Sequence, residues 1–456
     1  MTALRIAVIG GGAAGLSAAE SARRKGADVT LFEGRKLGGE CTWSGCVPSK
    51  ALLAVAKHVH SMRSNSTPGV GVAGISVDMA GVMGHVQSVI QAIASGEDAE
   101  HYRQMGIEVV SEVVRFSTPR SLDYGGTPFS FDRAIICTGA EPAVPPIEGF
   151  RELDFYTNES IFSLQELPES LLILGAGPIG LELGQAFRRL GSSVDIVDLA
   201  PRILPMVDED IAEIVHSALE REGIKFHMGE SVAMLEREGQ GIRAVLGGES
   251  THLHATHLLV AAGRRPRTKG LGLEDIGITL AHNAISVDQG MRTSVDGIYA
   301  AGDVTAVMPF THVAAYQARI AADNAVGKHR KASYRDIPWA VYVDPPVAGV
   351  GRRTPDSGEQ ILTRAFASID RAVLEGKAEG LMKCGLKAKP ILGTSGGGEV
   401  AWAQVVGYQA DELIHEFAMA MHTHSFAGRL AQAIHAYPTM SLGIQQLIAS
   451  AFIGEQ

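Results

Sequence analysis

Short apolar runs that end in glycine recur along this 456-residue chain, and each is followed by a longer stretch of mixed apolar and polar positions. Ile6-Ala7-Val8-Ile9 passes into Gly10-Gly11-Gly12-Ala13-Ala14-Gly15 and then into Leu16 to Arg24; a further run, Val29 to Phe32, ends at Glu33. Leu171-Leu172-Ile173-Leu174 repeats the design with Gly175-Ala176-Gly177-Pro178-Ile179-Gly180, a stretch reaching Leu190, and Val194 to Asp198. Runs this short read as strands and the stretches between them as helices, so each copy predicts strand, glycine turn, helix, strand. Two such units place the chain in the α/β class. From about residue 335 the signals become mixed: Ala340 to Asp344 before Pro345-Pro346, Asp370 to Leu374, and Asp411 to Ile414 opening an apolar helix. Gly393 to Gly398 reads as a flexible hairpin loop, and Cys384 as a buried strand residue. No apolar run reaches the ~18 residues of a spanning helix. Ile444 to Ile453 is shorter and reads as an amphipathic helix packed in an interface.

Composition narrows the picture. A chain of 456 residues exceeds one ordinary core and predicts two to four domains. The net charge of -10, without a basic block, argues against a nucleic-acid partner and an anionic membrane surface. Four cysteines are too few for a structural disulfide framework, and the strand over Leu4 to Ile9 leaves no room for a signal peptide, so a reducing cytoplasm is the expected compartment.

The glycine turns carry the first chemistry. Gly10 allows a tight turn, Gly12 lets backbone approach a pyrophosphate, and Gly15 lets helix pack on strand, while the helix N-terminus offers N–H groups to phosphates. Glu33, 23 residues after Gly10, stands where a carboxylate accepts from ribose hydroxyls. Gly175, Gly177 and Gly180 repeat the arrangement, with Asp198 ending the second strand, so two dinucleotides are expected. A carboxylate there binds a 2'-hydroxyl and repels a 2'-phosphate, which favours NADH over NADPH. Arg202, four residues further on, reads as a surface charge that could soften that preference. The second chemistry lies in Gly38-Gly39-Glu40-Cys41-Thr42-Trp43-Ser44-Gly45-Cys46-Val47-Pro48-Ser49-Lys50. The cysteine spacing is too long for Cys-x-x-Cys, and no second Cys or His pair follows at zinc spacing. A redox disulfide is therefore favoured over two unrelated buried cysteines.

This segment resembles the active-site disulfide of the class I pyridine nucleotide-disulfide oxidoreductases, the family of dihydrolipoamide dehydrogenase, glutathione reductase and mercuric reductase. The resemblance covers nearly the whole chain. Ala134-Ile135-Ile136-Cys137-Thr138-Gly139-Ala140-Glu141-Pro142 resembles the strand that closes the FAD site, with Cys137 as a core filler. Leu258 to Gly263 and Arg264-Arg265-Pro266 resemble the return crossing, and Gly297 to Val304 the second FAD motif. The resemblance implies two Rossmann-like dinucleotide-binding domains plus a C-terminal α+β dimerisation domain, hence a homodimer. The expected boundaries are 1–148 and 268–330 for a discontinuous FAD domain, 149–267 for an NAD(H) domain and 335–456 for dimerisation. It implies Gly10, Gly12, Gly15, Glu33, Lys50, Thr138, Gly139, Asp303, His312 and Ala314 as the FAD site. Gly175, Gly177, Gly180, Asp198 and Gly263 would form the nicotinamide nucleotide site. It further implies Cys46 as the thiol beside the flavin, Cys41 as the thiol that attacks substrate, and Lys50 with Glu182 as a charged pair beside the cofactors.

One departure is informative. Where the disulfide reductases carry a catalytic His before Pro-Thr and an orienting Glu five positions on, this chain has Tyr437 and Leu442, and His435 reads as a structural neighbour. Mercuric reductases also carry tyrosine at that place, although they usually end in a vicinal cysteine pair that is not found in Phe452 to Gln456. The expectation is a cytoplasmic, homodimeric FAD enzyme with Cys41, Cys46, Lys50, Glu182 and Tyr437 as catalytic residues and no resident metal. It would use NADH to reduce a small oxidised acceptor and be most similar to a mercuric reductase-like branch. Alternatives are dihydrolipoamide dehydrogenase or another disulfide reductase, a quinone reductase acting directly from flavin, and a redox-sensing flavoprotein without turnover.

Overall fold

A computed structural model describes residues 3–64, 69–247, 251–352, 356, 358–387 and 398–452. Residues 393–397 of the expected hairpin loop, and Ile453 at the end of the expected terminal helix, lie outside the described residues. Two compact units emerge. The first comprises Met1–Pro146, Asp154–Leu167 and Leu259–Ser333; the second comprises Ile147–Leu153, Pro168–Leu258 and Tyr334–Gln456.

The first unit is built on five parallel strands in the order Ile298–Ala300, Arg133–Ile136, Arg5–Ile9, Asp28–Phe32, Ile107–Val110. Their apolar runs are continuous because both faces are covered: Val8, Leu31, Ile135 and Ile298 are all buried. The helix Ala13–Arg23 turns Ala14, Leu16, Ala18, Ala19 and Ala22 inward and packs against the helix Thr311–Ala325, which buries Ala314, Ala318, Ala321 and Ala322. Alanines on both surfaces let the two helix backbones approach closely.

In the second unit, Ile224–Met228, Ser193–Asp198 and Ser170–Leu174 pair in parallel, with the middle strand bonded to both others. The helix Pro178–Leu190 follows the second glycine turn and has Pro in its first turn, where the missing N–H costs nothing. The C-terminal part is an antiparallel sheet in the order Pro338–Val341, Val347–Gly351, Val400–Gly407, Gly380–Leu386, Gln360–Ala365. Its central strand is buried along its whole length. Phe417 and Ile414 of the helix Ala410–His422 share a core there with Phe366, Met382, Val405 and Cys384. The terminal helix Leu442–Ala449 buries Ile444, Leu447 and Ile448 in that same core, so its apolar face is used within its own unit. Two Rossmann-like units with a C-terminal α+β domain are thus the architecture that the glycine turns and the later mixed pattern announce.

The two glycine turns superimpose in logic. Gly10 has φ +103° and Gly175 φ +113°, conformations that L side chains rarely adopt. A Cβ at Gly15 would lie 1.7 Å from the Gly10 carbonyl oxygen, and one at Gly180 would lie 1.9 Å from that of Gly175. At Gly177, by contrast, a Cβ would meet nothing within 4 Å. Gly180→Ala is therefore expected to destabilise the protein by about 1–3 kcal/mol or more through forced displacement of the turn, whereas Gly177→Ala should cost only about 0.5–1 kcal/mol, the loss of glycine at an N-cap. Urea unfolding of both variants checks this; equal losses would contradict the close-approach argument.

Candidate active site

Both glycine turns are latched in the same way. Gly10 N donates to Phe32 O and Gly175 N to Val197 O, each at 2.8 Å, tying the turn to the neighbouring strand. Glu33 Oε2 accepts from Gly11 N at 2.5 Å and its Oε1 from Arg35 N at 2.6 Å. Asp198 repeats this with Ala176 N at 2.6 Å and Ala200 N at 2.7 Å. Each carboxylate oxygen has two lone pairs, so both residues keep acceptor capacity for a ribose hydroxyl beside the helix N-terminus that would face a pyrophosphate. Gly12 and Gly177 are the N-caps of those helices. The residues present fit a dinucleotide at each turn. Arg202, beside Asp198, donates to the carbonyls of Ile203, Leu204 and Val207, so its guanidinium is bound up in its own loop.

The other expected FAD-site residues gather in the first unit. Ala140–Pro142, at the end of the segment read as closing the FAD site, and Arg264–Pro266, read as the return crossing, pair with each other as an antiparallel ribbon. Thr138 Oγ1 donates to Arg267 O at 2.7 Å, and Arg267 N donates to Gly139 O at 2.9 Å. Gly139 and Gly263 both have positive φ. Cys137 is fully buried, where burial pushes its thiol above the ordinary range, which suits a core filler. A Cβ at Gly302 would lie 3.0 Å from Ala14 Cβ and 3.3 Å from Ala314 Cβ, so this turn is wedged between the starts of two helices. Asp303 follows it. Buried Gln317 accepts from Gly302 N at 2.8 Å and donates to Val307 O at 3.0 Å, locking the turn to the helix Thr311–Ala325. His312 stacks on Phe310 at that helix start. Burial pushes the Asp303 carboxyl up, against the opposing pull of Arg264, whose Nε lies 3.6 Å away.

Cys41 sits in a five-residue helix, Gly39–Trp43, that the sequence reading did not foresee, and Cys46 is the first residue of the 18-residue helix Cys46–Arg63. That helix starts at the cysteine itself. The two cysteine side chains lie within hydrogen-bond reach of each other. This contact, then burial, pushes the Cys41 thiol far above the ordinary range, whereas Cys46 is exposed. Cys46 Sγ lies 3.4 Å from Oγ1 of Thr311, the first residue of the helix Thr311–Ala325. Two helix N-termini thus meet at one sulfur, and their dipoles favour negative charge on it. Lys50 lies one turn further along the Cys46 helix. Thr311 was missed because only the fold brings it to the cysteine. Glu40, which precedes Cys41, is gripped by both terminal nitrogens of Arg264 and accepts from buried Asn158 Nδ2 at 2.7 Å.

In the second unit, Glu182 is buried in the helix Pro178–Leu190, its Oε1 accepting from Tyr342 N at 2.9 Å. Tyr437 is 72% exposed, and its hydroxyl donates to Asp370 Oδ2 at 3.0 Å. That hydrogen bond holds the phenol above its ordinary range. His435 stands apart from this pair: Nε2 faces Glu416 Oε1 and Nδ1 faces Ala433 O, both at 3.0 Å. Both ring nitrogens of His435 thus face oxygen atoms. Asp370 and Glu416 carry no sequence signal for these roles, being 67 and 19 residues from their partners.

Comparison with known proteins agrees with this geometry. The family model described as pyridine nucleotide-disulphide oxidoreductase matches residues 4–318, and that of the family's dimerisation domain matches residues 337–448. The chain is 33% identical to a dihydrolipoyl dehydrogenase of Thermus scotoductus over 96% of its length and 95% of that protein's. It is 32% identical to a mercuric reductase of Streptomyces lividans over 100% and 97%. Among solved structures it is similar to LpdA of Mycobacterium tuberculosis, with a TM-score of 0.88 at 27% identity, covering 98% of this chain and 99% of that one. It is also similar to the Cu(II) complex of the HOCl-induced flavoprotein disulfide reductase RclA of Escherichia coli, with a TM-score of 0.86 at 26% identity, covering 97% and 99%. With two nucleotide turns, a cysteine pair at a helix start and a dimerisation domain, the chain belongs to the pyridine nucleotide-disulphide oxidoreductases, a family of FAD- and NAD(P)-dependent enzymes.

Proposed function

We propose that this enzyme, acting as a homodimer in the cytoplasm, takes two electrons from NADH and delivers them through the Cys41–Cys46 pair to a small oxidised acceptor, a soft metal ion foremost. The observation that carries the reading is the meeting of Cys46 with Cys41 and with a second helix start in the unit that bears the first nucleotide turn. Gly10, Gly12, Gly15, Glu33, Thr138, Gly139, Asp303, His312 and Ala314 would hold FAD, and Gly175, Gly177, Gly180, Asp198 and Gly263 the nicotinamide nucleotide. Bound FAD supplies a two-electron relay between nicotinamide and sulfur. Overall, NADH, one proton and the disulfide yield NAD+ and a dithiol. Cys46, at two helix N-termini, holds the negative charge of the opened pair; Cys41, whose thiol is pushed up, keeps its proton until an acceptor takes its place. Lys50, on the Cys46 helix, and Glu182, buried in the second unit, are the charged residues that the family resemblance adds.

Tyr437 supports this acceptor class. Thiol–disulfide interchange needs a base for the attacking thiol or an acid for the leaving sulfur. A phenol with an ordinary pKa near ~10, raised further by Asp370, stays protonated at neutral pH and cannot cycle as an imidazole does. A metal ion held between two sulfurs needs no proton shuttle while it is reduced. The exposed Tyr437 is left to donate a hydrogen bond or, in a dimer, to reach a partner's site.

Three outcomes are expected. In holoenzyme reduced by two electrons under nitrogen, a thiolate on Cys46 against the cofactor gives long-wavelength absorbance that Cys46→Ser abolishes; an unchanged band in that variant would remove Cys46 from the role. NADH should be preferred over NADPH at least tenfold in kcat/KM, about 1.4 kcal/mol, and Asp198→Asn should narrow that gap. Steady-state kinetics with both nucleotides decides it, and equal constants for the wild type would refute the assignment. Dihydrolipoamide and glutathione disulfide should turn over ~100-fold or more slowly than Hg(II) with added thiol, the factor a missing acid–base group accounts for. Disulfide turnover at tens per second by the wild type would overturn the reading, and turnover surviving Cys41→Ser would point to direct flavin reduction of a quinone.

A further inference from the structure

The helix that carries Cys41 has five residues, far below the ~12–15 that hold a helix together unaided. Its position must come from outside, and the ties are unusually specific. Glu40, the residue before Cys41, meets the Arg264 guanidinium with both carboxylate oxygens, the planar two-bond geometry that fixes orientation as well as distance. Asn158, only 6% exposed, bridges the same carboxylate at 2.7 Å and the Ser44 carbonyl at 3.2 Å, so it spans the two residues that bracket the Cys41 helix turn. Arg264 is itself anchored: Nη2 donates to Ala140 O at 3.2 Å, across the ribbon, and Nε lies 3.6 Å from Asp303. Glu40 and Arg264 side chains are 23% and 21% exposed, so the pair is largely withdrawn from solvent screening.

We propose that Glu40, Arg264 and Asn158 are positioning residues that hold Cys41 in bonding register with Cys46 when the S–S bond is open, and thereby set the reduction potential of the pair. The inference rests on the redox role given to the two cysteines above. Reduction adds two electrons and two protons to one S–S bond and leaves two thiols. Once that covalent link is gone, a five-residue helix is free to drift unless it is clamped. A clamped dithiol has a high effective concentration of one sulfur at the other, which favours the disulfide and lowers the potential. Loosening the clamp weakens the disulfide relative to the dithiol and raises the potential. One arginine serves both the cysteine segment and Asp303, so the register of the thiols is referenced to the turn that fits the cofactor.

The test equilibrates holoenzyme, without NADH, in mixtures of glutathione and glutathione disulfide; two glutathione molecules supply the two electrons and two protons and become one disulfide. Alkylation and intact mass then count the thiols. Arg264→Gln and Glu40→Gln should each lower the equilibrium constant for the Cys41–Cys46 disulfide about tenfold, a rise of about 30 mV. The double variant should move no further than either single one, because both act through one contact. Asn158→Ala and Arg264→Lys, gentler changes judged folded by circular dichroism, should shift it in the same direction. Wild-type potentials in folded variants, or additive shifts in the double variant, overturn the clamp. A wild-type protein that never forms the Cys41–Cys46 disulfide overturns the redox role instead, a result distinct from an unmoved potential.

Discussion

A backbone turn held by a carboxylate underlies everything else in this protein. Glu33 and Asp198 each bond the N–H of the residue after the first glycine, and each stands at the end of the strand next to the one that enters the turn. The bond needs the chain to reverse within a few residues, which Gly10 and Gly175 permit, and needs the following helix to press onto the turn, which Gly15 and Gly180 permit. The helix N-termini then point at the space where phosphates are bound in this family. Without those close approaches the carboxylates would be ordinary strand-end charges.

The same principle, a helix start used as a source of positive potential, reappears at the cysteines. Cys46 opens one helix and touches the first residue of another. Charge on a sulfur there would be stabilised by peptide dipoles that are fixed when the protein folds. The pair is asymmetric: Cys46 is exposed at the helix starts, while Cys41 is partly buried with its thiol pushed up. Such asymmetry supports the proposed division between a charge-holding sulfur and one that meets the acceptor.

The C-terminal residues show how a family scaffold is retuned without altering its fold. Tyr437 and Asp370 form a hydrogen-bonded pair at the surface, and His435 is turned aside onto Glu416. At the position before Pro438 the chain thus presents a phenol in place of an imidazole. This supports the proposal that the cysteines pass electrons to an acceptor already bound to sulfur.

The strand, glycine turn and helix units were legible in the sequence because they rest on local rules: apolar runs for buried parallel strands, glycine where φ is positive or backbone approaches within a van der Waals radius. Cys41 and Cys46 were legible for the same reason, being neighbours in the chain. What the sequence could not reveal was the five-residue helix around Cys41, too short to have a periodic signal and held by Arg264, 224 residues from Glu40. Thr311 beside Cys46, Asp370 on Tyr437 and Glu416 on His435 are likewise meetings of distant segments. The terminal apolar helix is a similar case: its periodicity showed an apolar face, and only packing decided that the face enters its own core. Local backbone sterics and hydrophobic period are written into neighbouring residues, so sequence alone determined the class and the two nucleotide turns, and marked the cysteine pair. Which side chain orients which reacting group depends on contacts closed only when the whole chain has folded, and that was decided by the tertiary structure.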